Sequence, residues 1–313
     1  MRTLLTGGAG FFGSHLTEAL LRQGHSVHIL DLPSAPIVGP IAGNVTFHEG
    51  DLLETSTVRE AIVRSKPNVV FHLAAVVNLD RSLEVADACM KVNALGTLNL
   101  LRVLEARPPT ALVLASTTEV YGDGPVPFKE EQAAAPPSPY AVSKLAAEQL
   151  ALSMHRITGF PTVVARIATA YGPRQPNHRL IPTLIESYAR GERPSLSDPE
   201  LSRDFLFVDD VVEGLVAAAE STASHGEIIN LGNQTSHTIG HIAETVRDLM
   251  GADLAPCYGA RASRPNEARV WASNTDKARR LLGWSPKTTL LEGLERTITW
   301  FLTDARLSSE HPA

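Results

Sequence analysis

Tyr140 and Lys144 are the two side chains whose types and spacing most directly suggest chemistry, in the segment SPYAVSKLAAEQL. A separation of four residues places both on one face of a helix. A phenol is a poor base at neutral pH, but a neighbouring ammonium group favours its phenolate form. The pair could then accept the proton of an alcohol while a hydride leaves the same carbon. Any surface helix can carry this spacing by chance, so the prediction depends on the residues that accompany the pair.

Three hydroxyl residues, Ser116, Thr117 and Thr118, follow the apolar run ALVLA upstream of this pair. The run is predicted to be a buried strand, and ligands of a doubly wound sheet collect at the carboxyl ends of its strands. A hydroxyl group at that edge can hydrogen-bond the reacting oxygen. Capping of the following turn is the alternative role for Ser116 and Thr118.

Three glycines, Gly7, Gly10 and Gly13, lie in the stretch TGGAGFFGSHL between an apolar run and an amphipathic one. Without Cβ atoms they permit a tight turn, a close approach of a pyrophosphate to the backbone, and close helix–sheet packing. The helix that begins here would direct its N-terminus at the phosphates. The spacing in this context predicts a dinucleotide site, although glycines alone could mark a tight turn between a strand and a helix.

Asp31, at the end of the predicted second strand SVHILD, supports the dinucleotide prediction. It stands at about the interval where a carboxylate meets the adenosine ribose, and it would repel a 2′-phosphate, so NAD is favoured over NADP. Asp51, in HEGDLLE at the end of the third strand, is placed for an adenine contact. A solvated loop acid is the alternative interpretation of Asp51.

The elements that must position these side chains alternate along the first half of the chain. Apolar strand patterns occupy residues 2–6, 26–31, 45–48, 68–73, 110–116 and 161–167, and helix patterns occupy about 12–23, 56–65, 83–106 and 140–158. This alternation predicts an α/β fold in which a doubly wound parallel sheet is covered by helices on both faces. The loop-rich sequence after residue 167 indicates a smaller α/β substrate-binding domain, 168–313, that follows a dinucleotide-binding domain, 1–167. Residues 205–220 read as a strand and a helix that return toward the first domain.

Composition excludes several classes of function. The chain has 313 residues, a formal net charge of -6 and two cysteines. It lacks the basic excess typical of nucleic-acid binding, a disulfide framework and metal-ligand spacing, so we expect no nucleic-acid partner and no metal. No apolar run is long enough to span a bilayer, and no signal peptide is recognised, so we expect a cytoplasmic protein without a membrane partner.

The ordered motifs TGGAGFFG, HLAA, VNALGTLNLL, ASTTEVYG and YAVSK, together with Asp31, resemble the extended short-chain dehydrogenase/reductases. Within these, the similarity is to the NAD-dependent epimerase/dehydratase family that acts on nucleotide sugars. The resemblance continues through RIATAYGPR, RDFLFVDDVVEGL, RPNE and KARRLLGW, so it covers nearly the whole chain. It implies a Rossmann-type sheet, NAD as the cofactor and a nucleotide sugar as the substrate.

The resemblance also implies roles for individual residues. Thr117 would be the hydroxyl partner, Tyr140 the base and Lys144 its electrostatic support. The residues expected to contact NAD are Gly7, Gly10, Phe11, Phe12, Gly13, Asp31, Asp51, Leu52, Leu73, Ala74, Ala75, Asn93, Ser116, Tyr140 and Lys144. The residues expected to contact the nucleotide sugar are Thr118, Thr169, Arg203 and Arg264, the arginines through the diphosphate. Thr169 stands where family members often have asparagine, which leaves the usual amide contact open.

Glu119 decides which reaction the family resemblance favours. Dehydratases of the family use a glutamate to remove the C5 proton after oxidation at C4, commonly beside an aspartate that acts as the acid. Glu119 matches that glutamate and favours dehydration, whereas Thr118 replaces the aspartate and weakens that match. Sugar-nucleotide decarboxylases of the glucuronate type also carry a glutamate in a similar segment, and a hydrogen bond from Glu119 to the following turn is the structural alternative. We therefore expect an NAD-dependent nucleotide-sugar dehydratase that works through a 4-keto hexose. A 4-epimerase like UDP-glucose 4-epimerase is the first alternative, and a UDP-glucuronate decarboxylase is the next. A catalytically silent NAD sensor is the alternative outside enzymes.

The apolar faces of helices 83–106 and 140–158 are compatible with a homodimer whose interface is a four-helix bundle, as in the family. Burial within a single chain explains the same apolar stripes equally well.

Overall fold

Seven parallel strands form the main sheet in the computed structural model, which describes residues 1–33, 43–260, 262, 264–265 and 267–303. In chain order the strands of this sheet are β1 (Arg2–Thr6), β2 (Ser26–Asp31), β3 (Thr46–Glu49), β4 (Val69–His72), β5 (Ala111–Thr117), β6 (Thr162–Ile167) and β9 (Ile228–Leu231). Their spatial order is β3-β2-β1-β4-β5-β6-β9. Within the described residues every neighbouring pair is parallel, which confirms the predicted Rossmann-type sheet.

Helices cover both faces of this sheet. The α-helices among the described residues are α1 (Phe11–Arg22), α2 (Thr55–Ser65), α3 (Ala86–Cys89), α4 (Gly96–Glu105), α5 (Pro139–Thr158), α6 (Leu180–Ala189), α7 (Val208–Glu220), α8 (Ile239–Leu249), α9 (Asp276–Leu282) and α10 (Leu290–Thr303). On one face, α1 and α7 pack together over the sheet, and on the other α2, α4 and α5 do so. Strands buried from both sides explain why their sequences are apolar without alternation.

The region predicted as one helix over 83–106 is divided into four parts. A 3-10 turn at Leu83–Val85 leads into α3, a π-helical turn follows at Met90–Leu95, and α4 completes the region. The extra residue of a π turn rotates the side chains that follow, and such turns are frequent at functional sites. An apolar pattern does not distinguish a π turn from an α-helix, so the sequence predicted only the helical region.

A second, three-stranded sheet is built from β7 (Thr169–Tyr171), β8 (Ser202–Phe207) and β10 (Ser236–Thr238), in the order β10-β8-β7. Strand β8 runs parallel to β7 and antiparallel to β10. Residues from α6, α8 and α10 pack on it and form a separate hydrophobic cluster. This small mixed sheet agrees with the predicted α/β region after residue 167.

Residues 205–220, predicted to return toward the first domain, are divided between the small sheet and the main sheet. Residues 205–207 belong to β8 in the small sheet, whereas α7 packs against α1, β5 and β6. The chain then adds β9 to the edge of the main sheet, beside β6. Strand β9 was not predicted from the sequence, so residues after 167 contribute more to the main sheet than expected. The division at residue 167 stays a prediction, and residues 304–313 of the second predicted domain lie outside the described residues.

Among the described residues, no helix is both long enough and apolar enough to cross a membrane.

Candidate active site

The glycine turn between β1 and α1 is as tight as its spacing predicts. Gly7 has a φ of +72°, and a Cβ atom there would lie 2.6 Å from the backbone nitrogen of Ala74. A Cβ at Gly13 would overlap the Gly7 carbonyl oxygen and the Gly8 backbone. Gly10 precedes the first residue of α1, and no side chain of the described residues caps that helix. The N-terminal amides of α1 therefore remain available to an anion, which fits a dinucleotide pyrophosphate.

Asp31 lies at the end of β2, beside the glycine turn. One carboxylate oxygen accepts a hydrogen bond from the Ala9 amide at 3.0 Å, and the other accepts one from the Leu32 amide at 2.9 Å. Each carboxylate oxygen retains a further lone pair, so the side chain can still accept a ribose hydroxyl. Asp51 instead accepts from the Leu53 amide at 2.9 Å and shapes its own loop. The loop role and a cofactor contact are both compatible with this geometry.

The other residues expected to contact NAD divide into backbone and side-chain groups. The rings of Phe11 and Phe12 pack against the hydrophobic cluster of the small sheet, and Phe12 also packs against that of the main sheet. The segment Leu73–Ala75 continues β4, and the Leu73 amide donates to the Thr6 carbonyl at 3.0 Å. Leu52 is buried among the residues under α2 and α4. These positions line or support the region above the carboxyl ends of the strands.

Asn93, in the π-helical turn, is occupied by contacts within the protein. Its amide oxygen accepts from the Val76 amide at 2.8 Å, and its amide nitrogen donates to the Val76 carbonyl and to Ser143 Oγ. Ser143 in turn donates to the Tyr140 carbonyl at 2.7 Å. Asn93 therefore ties the loop after β4 to the first turn of α5, where Tyr140 lies.

Ser116 is also occupied, in a buried network under α5. Its hydroxyl donates to Glu148, whose carboxylate forms an ion pair with Arg166 at 2.7 Å. The Arg166 guanidinium lies 4.6 Å from the centre of the Tyr121 ring. The side chains of Glu148 and Arg166 are 0% and 3% exposed. The network joins α5 to β5 and β6 close to the predicted base.

Tyr140 and Lys144 are both buried on one face of α5, as their spacing predicts. Burial raises the pKa of the Tyr140 phenol, and the Glu119 carboxylate raises it further, whereas Arg179 and the Thr117 side chain lower it. Burial lowers the pKa of Lys144 to about 8, and Glu148 partly opposes that change. Within the chain, burial therefore outweighs the positive charges that act on the phenol, so a phenolate requires additional positive charge from a bound group.

Glu119 lies in the 3-10 turn that follows β5 and is 3% exposed. The turn begins at Thr117, whose hydroxyl accepts a hydrogen bond from the Glu119 amide at 3.1 Å. Ser138 Oγ donates to Glu119 Oε1 at 2.8 Å. Burial raises the pKa of Glu119, while Ser138, Arg264 and Arg81 lower it. Thr118, beside it, is buried. A carboxyl group poised in this way can take up or deliver a proton.

A cavity of about 950 Å³ opens beside these residues, between the loop after β4 and the small sheet. Its lining includes four arginines, Arg81, Arg179, Arg203 and Arg264, along with Thr169 and Trp271. Thr117, Thr118, Glu119 and Tyr140 are not part of the lining. Arg179 and Arg264 nevertheless act electrostatically on Glu119, and Arg179 acts on Tyr140, so the cavity adjoins the reactive groups. Its positive charge suits a nucleoside diphosphate.

The two predicted diphosphate arginines differ in how they are held. Arg203 is buried; its guanidinium donates to the Ser202 and Ala268 carbonyls and pairs with Glu267 at 2.7 Å. It also stacks 4.5 Å from the centre of the Trp271 ring. Arg264 is more exposed and lies 3.4 Å from the same Glu267 carboxylate. Arg264 therefore remains open to an anion, whereas Arg203 chiefly holds the cavity wall. Asn266 of the motif RPNE lies outside the described residues.

Two residues of the site, Arg179 and Ser138, were not predicted from the sequence. Arg179 precedes α6, and its guanidinium makes no hydrogen bond with any residue that the structure describes. No periodicity marks such a position. Ser138 could have been found, because a serine followed by proline and an amphipathic run is a typical helix N-terminus.

Comparison with known proteins identifies the family. A family model described as GDP-mannose 4,6-dehydratase matches residues 4–297. The chain belongs to the NAD-dependent epimerase/dehydratase family. One member, UDP-glucuronic acid decarboxylase 1 of Xenopus tropicalis, is 32% identical over 100% of this chain and 74% of its own length.

Solved structures of family members agree in fold over nearly the whole chain. UDP-glucose 4-epimerase from Thermotoga maritima, solved with UDP-glucose, has a TM-score of 0.91 and 30% identity and covers 96% of this chain and 99% of its own. dTDP-glucose 4,6-dehydratase from Bacillus anthracis, solved in complex with NAD, has a TM-score of 0.88 and 28% identity, with 98% of both chains covered. The protein is therefore a nucleotide-sugar modifying enzyme of this family, and its relatives include dehydratases, epimerases and decarboxylases.

Proposed function

We propose that the protein is an NAD-dependent nucleotide-sugar 4,6-dehydratase, which forms a 4-keto-6-deoxy sugar and water. The observation that carries this proposal is the buried Glu119 carboxyl, held by Ser138 beside Thr117 and Tyr140. A 4-epimerase needs no such carboxyl after C4 oxidation, because it returns the hydride to the same carbon. A buried carboxyl beside the predicted base is placed to remove the C5 proton.

The glycine turn, the amides of α1 and the Asp31 carboxylate are the groups that would hold NAD. Bound NAD supplies the hydride acceptor and, once reduced, the hydride donor. Its positive nicotinamide ring, together with the Lys144 ammonium, would also offset the burial that raises the pKa of Tyr140. Arg264 and Arg179 would hold the diphosphate end of the substrate in the cavity.

The residues of the chain account for the protons of the reaction. Tyr140 accepts the proton of the C4 hydroxyl as the C4 hydride leaves, with Thr117 hydrogen-bonded to the reacting oxygen. Glu119 then removes the proton at C5, which the 4-keto group has acidified. The C6 hydroxyl leaves as water with the proton that Glu119 took from C5. The hydride is then added at C6 and a proton at C5, which balances the proton that Tyr140 accepted, so the net change is the loss of one water molecule.

A second candidate, decarboxylation of a nucleotide hexuronate, is favoured by Arg179. This guanidinium acts on both Tyr140 and Glu119 and makes no hydrogen bond with the described residues, so it could pair with a sugar carboxylate. After C4 oxidation the C5–C6 bond breaks, carbon dioxide leaves, and C5 takes up a proton. Thr118, which cannot act as a carboxylic acid, is compatible with this reaction as well.

A substrate panel tests the proposal. The protein is incubated with NAD and with UDP-, dTDP-, GDP- and CDP-hexoses and with UDP-glucuronate, and products are read by mass spectrometry. Loss of water from a hexose supports the dehydratase, loss of carbon dioxide from the uronate supports the second candidate, and a C4 epimer of unchanged mass contradicts both. Glu119→Gln should stop the elimination and leave C4 oxidation detectable as reduced cofactor. Tyr140→Phe, the control, should stop both steps.

A further inference from the structure

Ser138 connects the reactive carboxyl to the helix that carries the base. It is 2% exposed and stands immediately before α5. Its hydroxyl oxygen accepts a hydrogen bond from the Ala141 amide at 3.1 Å, which caps the helix. The same hydroxyl donates to Glu119 Oε1 at 2.8 Å. One side chain therefore serves both the helix N-terminus and Glu119.

The two bonds fix the direction in which Ser138 donates. A serine hydroxyl has a single proton and can accept through its lone pairs. Because the Ala141 amide must donate to this oxygen, the hydroxyl proton is directed at Glu119. Glu119 Oε1 is consequently an acceptor in this geometry and does not carry the carboxyl proton. The arrangement favours the ionised carboxylate, which is the form that removes a proton from carbon.

Other charged groups act on Glu119 from several elements. Arg81 faces it from the loop after β4, Tyr140 from α5, and Arg179 from the residue before α6. Arg203 acts from β8, and Arg264 and Glu267 act from the lining of the cavity. Burial raises the pKa of Glu119 against these cations. Ser138 is the residue that donates a side-chain hydrogen bond to the carboxyl within the described residues.

We propose that Ser138 is a positioning residue for the second half-reaction, because its hydroxyl holds Glu119 as an oriented, ionised acceptor while it caps α5. The proposal rests on the dehydratase function for the step it assigns. Different residues then serve the two half-reactions. C4 oxidation depends on Tyr140 and Lys144, whereas removal of the C5 proton depends on the pair Ser138–Glu119.

Three substitutions separate the hydrogen bond to Glu119 from the helix cap. Ser138→Ala removes both, Ser138→Gly has no hydroxyl to donate but weakens the helix N-terminus only slightly, and Ser138→Thr retains both. In single turnovers with the hexose substrate, reduced cofactor should accumulate in the alanine and glycine variants, because elimination slows about ten- to a hundredfold. In both of these variants the acid limb of the pH profile of the elimination rate should move to higher pH, because Glu119 has lost a hydrogen bond that favours its ionised form. The threonine variant should behave as the wild type.

Two results would overturn the role of Ser138. If the glycine variant eliminates water at the wild-type rate, the hydrogen bond to Glu119 has no role in elimination and the proposal is overturned. The same holds if the alanine variant slows oxidation and elimination equally, since that indicates a general loss of structure.

A readout without turnover separates this proposal from the proposed function. The carboxyl carbon of Glu119 can be followed by ¹³C NMR in the labelled protein and assigned with Glu119→Gln. Its titration midpoint should rise in Ser138→Ala and return in Ser138→Thr even if no hexose in the panel loses water. An unchanged midpoint overturns the role of Ser138, whatever the substrate is.

Discussion

At the scale of single residues, the buried charge of Lys144 lowers the stability of the folded protein although the proposed reaction requires it. The ammonium is buried, and burial lowers the pKa of Lys144 to about 8 from the value of 10.5 that a lysine has in an unfolded chain. Between these two pH values the unfolded state binds more protons than the folded state, so stability rises with pH across that window. Below pH 8 the folded protein carries the full cost of the buried charge.

Replacement of this charge should therefore stabilise the protein while it abolishes activity. We expect Lys144→Met to raise the free energy of unfolding by about 3 kcal/mol at pH 7, from the difference of the two pKa values. The gain should shrink as the pH rises from 8 and vanish near pH 10.5, where both states are neutral. Urea denaturation at pH 7 and pH 10 measures it. Equal stability of the two proteins at pH 7 would contradict this account.

At the scale of secondary structure elements, the ion pair Glu148–Arg166 anchors α5 to the main sheet. Removal of one partner leaves a buried charge without compensation, and such losses are large. We expect Glu148→Gln to lower the free energy of unfolding by about 3 kcal/mol. Glu60→Gln is the matched control, because its pair with Arg64 is exposed, and it should change stability by less than about 0.5 kcal/mol. Thermal or urea unfolding that shows similar effects for both variants would refute the anchoring role.

The sequence predicted elements well where an element has a strong pattern of its own. The apolar runs of β1, β2 and β5 and the long pattern of α5 lie within one residue of their predicted bounds. Strand β9 has only four residues and joins the sheet through its pairing with β6, a contact that no local pattern encodes. The π turn at Met90–Leu95 likewise contains a contact that no local pattern encodes, between Asn93 and the backbone of Val76.

The candidate site was predictable to the extent that motifs carry residue types in a fixed order. Gly7, Gly13, Tyr140 and Lys144 lie where spacing and resemblance placed them. Arg203 differs in its contacts, because Glu267 and two carbonyl groups already satisfy its guanidinium. Its partner is 64 residues away, so only the folded chain reveals that this arginine shapes the cavity wall.

At the scale of the whole molecule, we propose that two copies associate through α4, α5 and the preceding π turn. Met90, Leu95 and Val142 are 40%, 45% and 44% exposed there, although each is large and apolar. We expect Leu95→Asp combined with Val142→Asp to halve the mass measured by light scattering, from twice 33.6 kDa to the mass of one chain. Leu302→Asp on α10, an equally exposed apolar position, should leave the mass unchanged. A wild type that is already monomeric would disprove the dimer.

Strand β9 has a consequence for how the chain acquires its fold during synthesis. When β6 leaves the ribosome, its outer edge is still unpaired, because the strand that pairs with it, β9, begins some sixty residues later. The small sheet strands β7 and β8, and the helix α7 that covers the same flank, are made in that interval. The outer backbone groups of β6 therefore have no strand to pair with until β9 has been synthesised. Cutting the gene at residue 167 would leave that edge permanently unpaired.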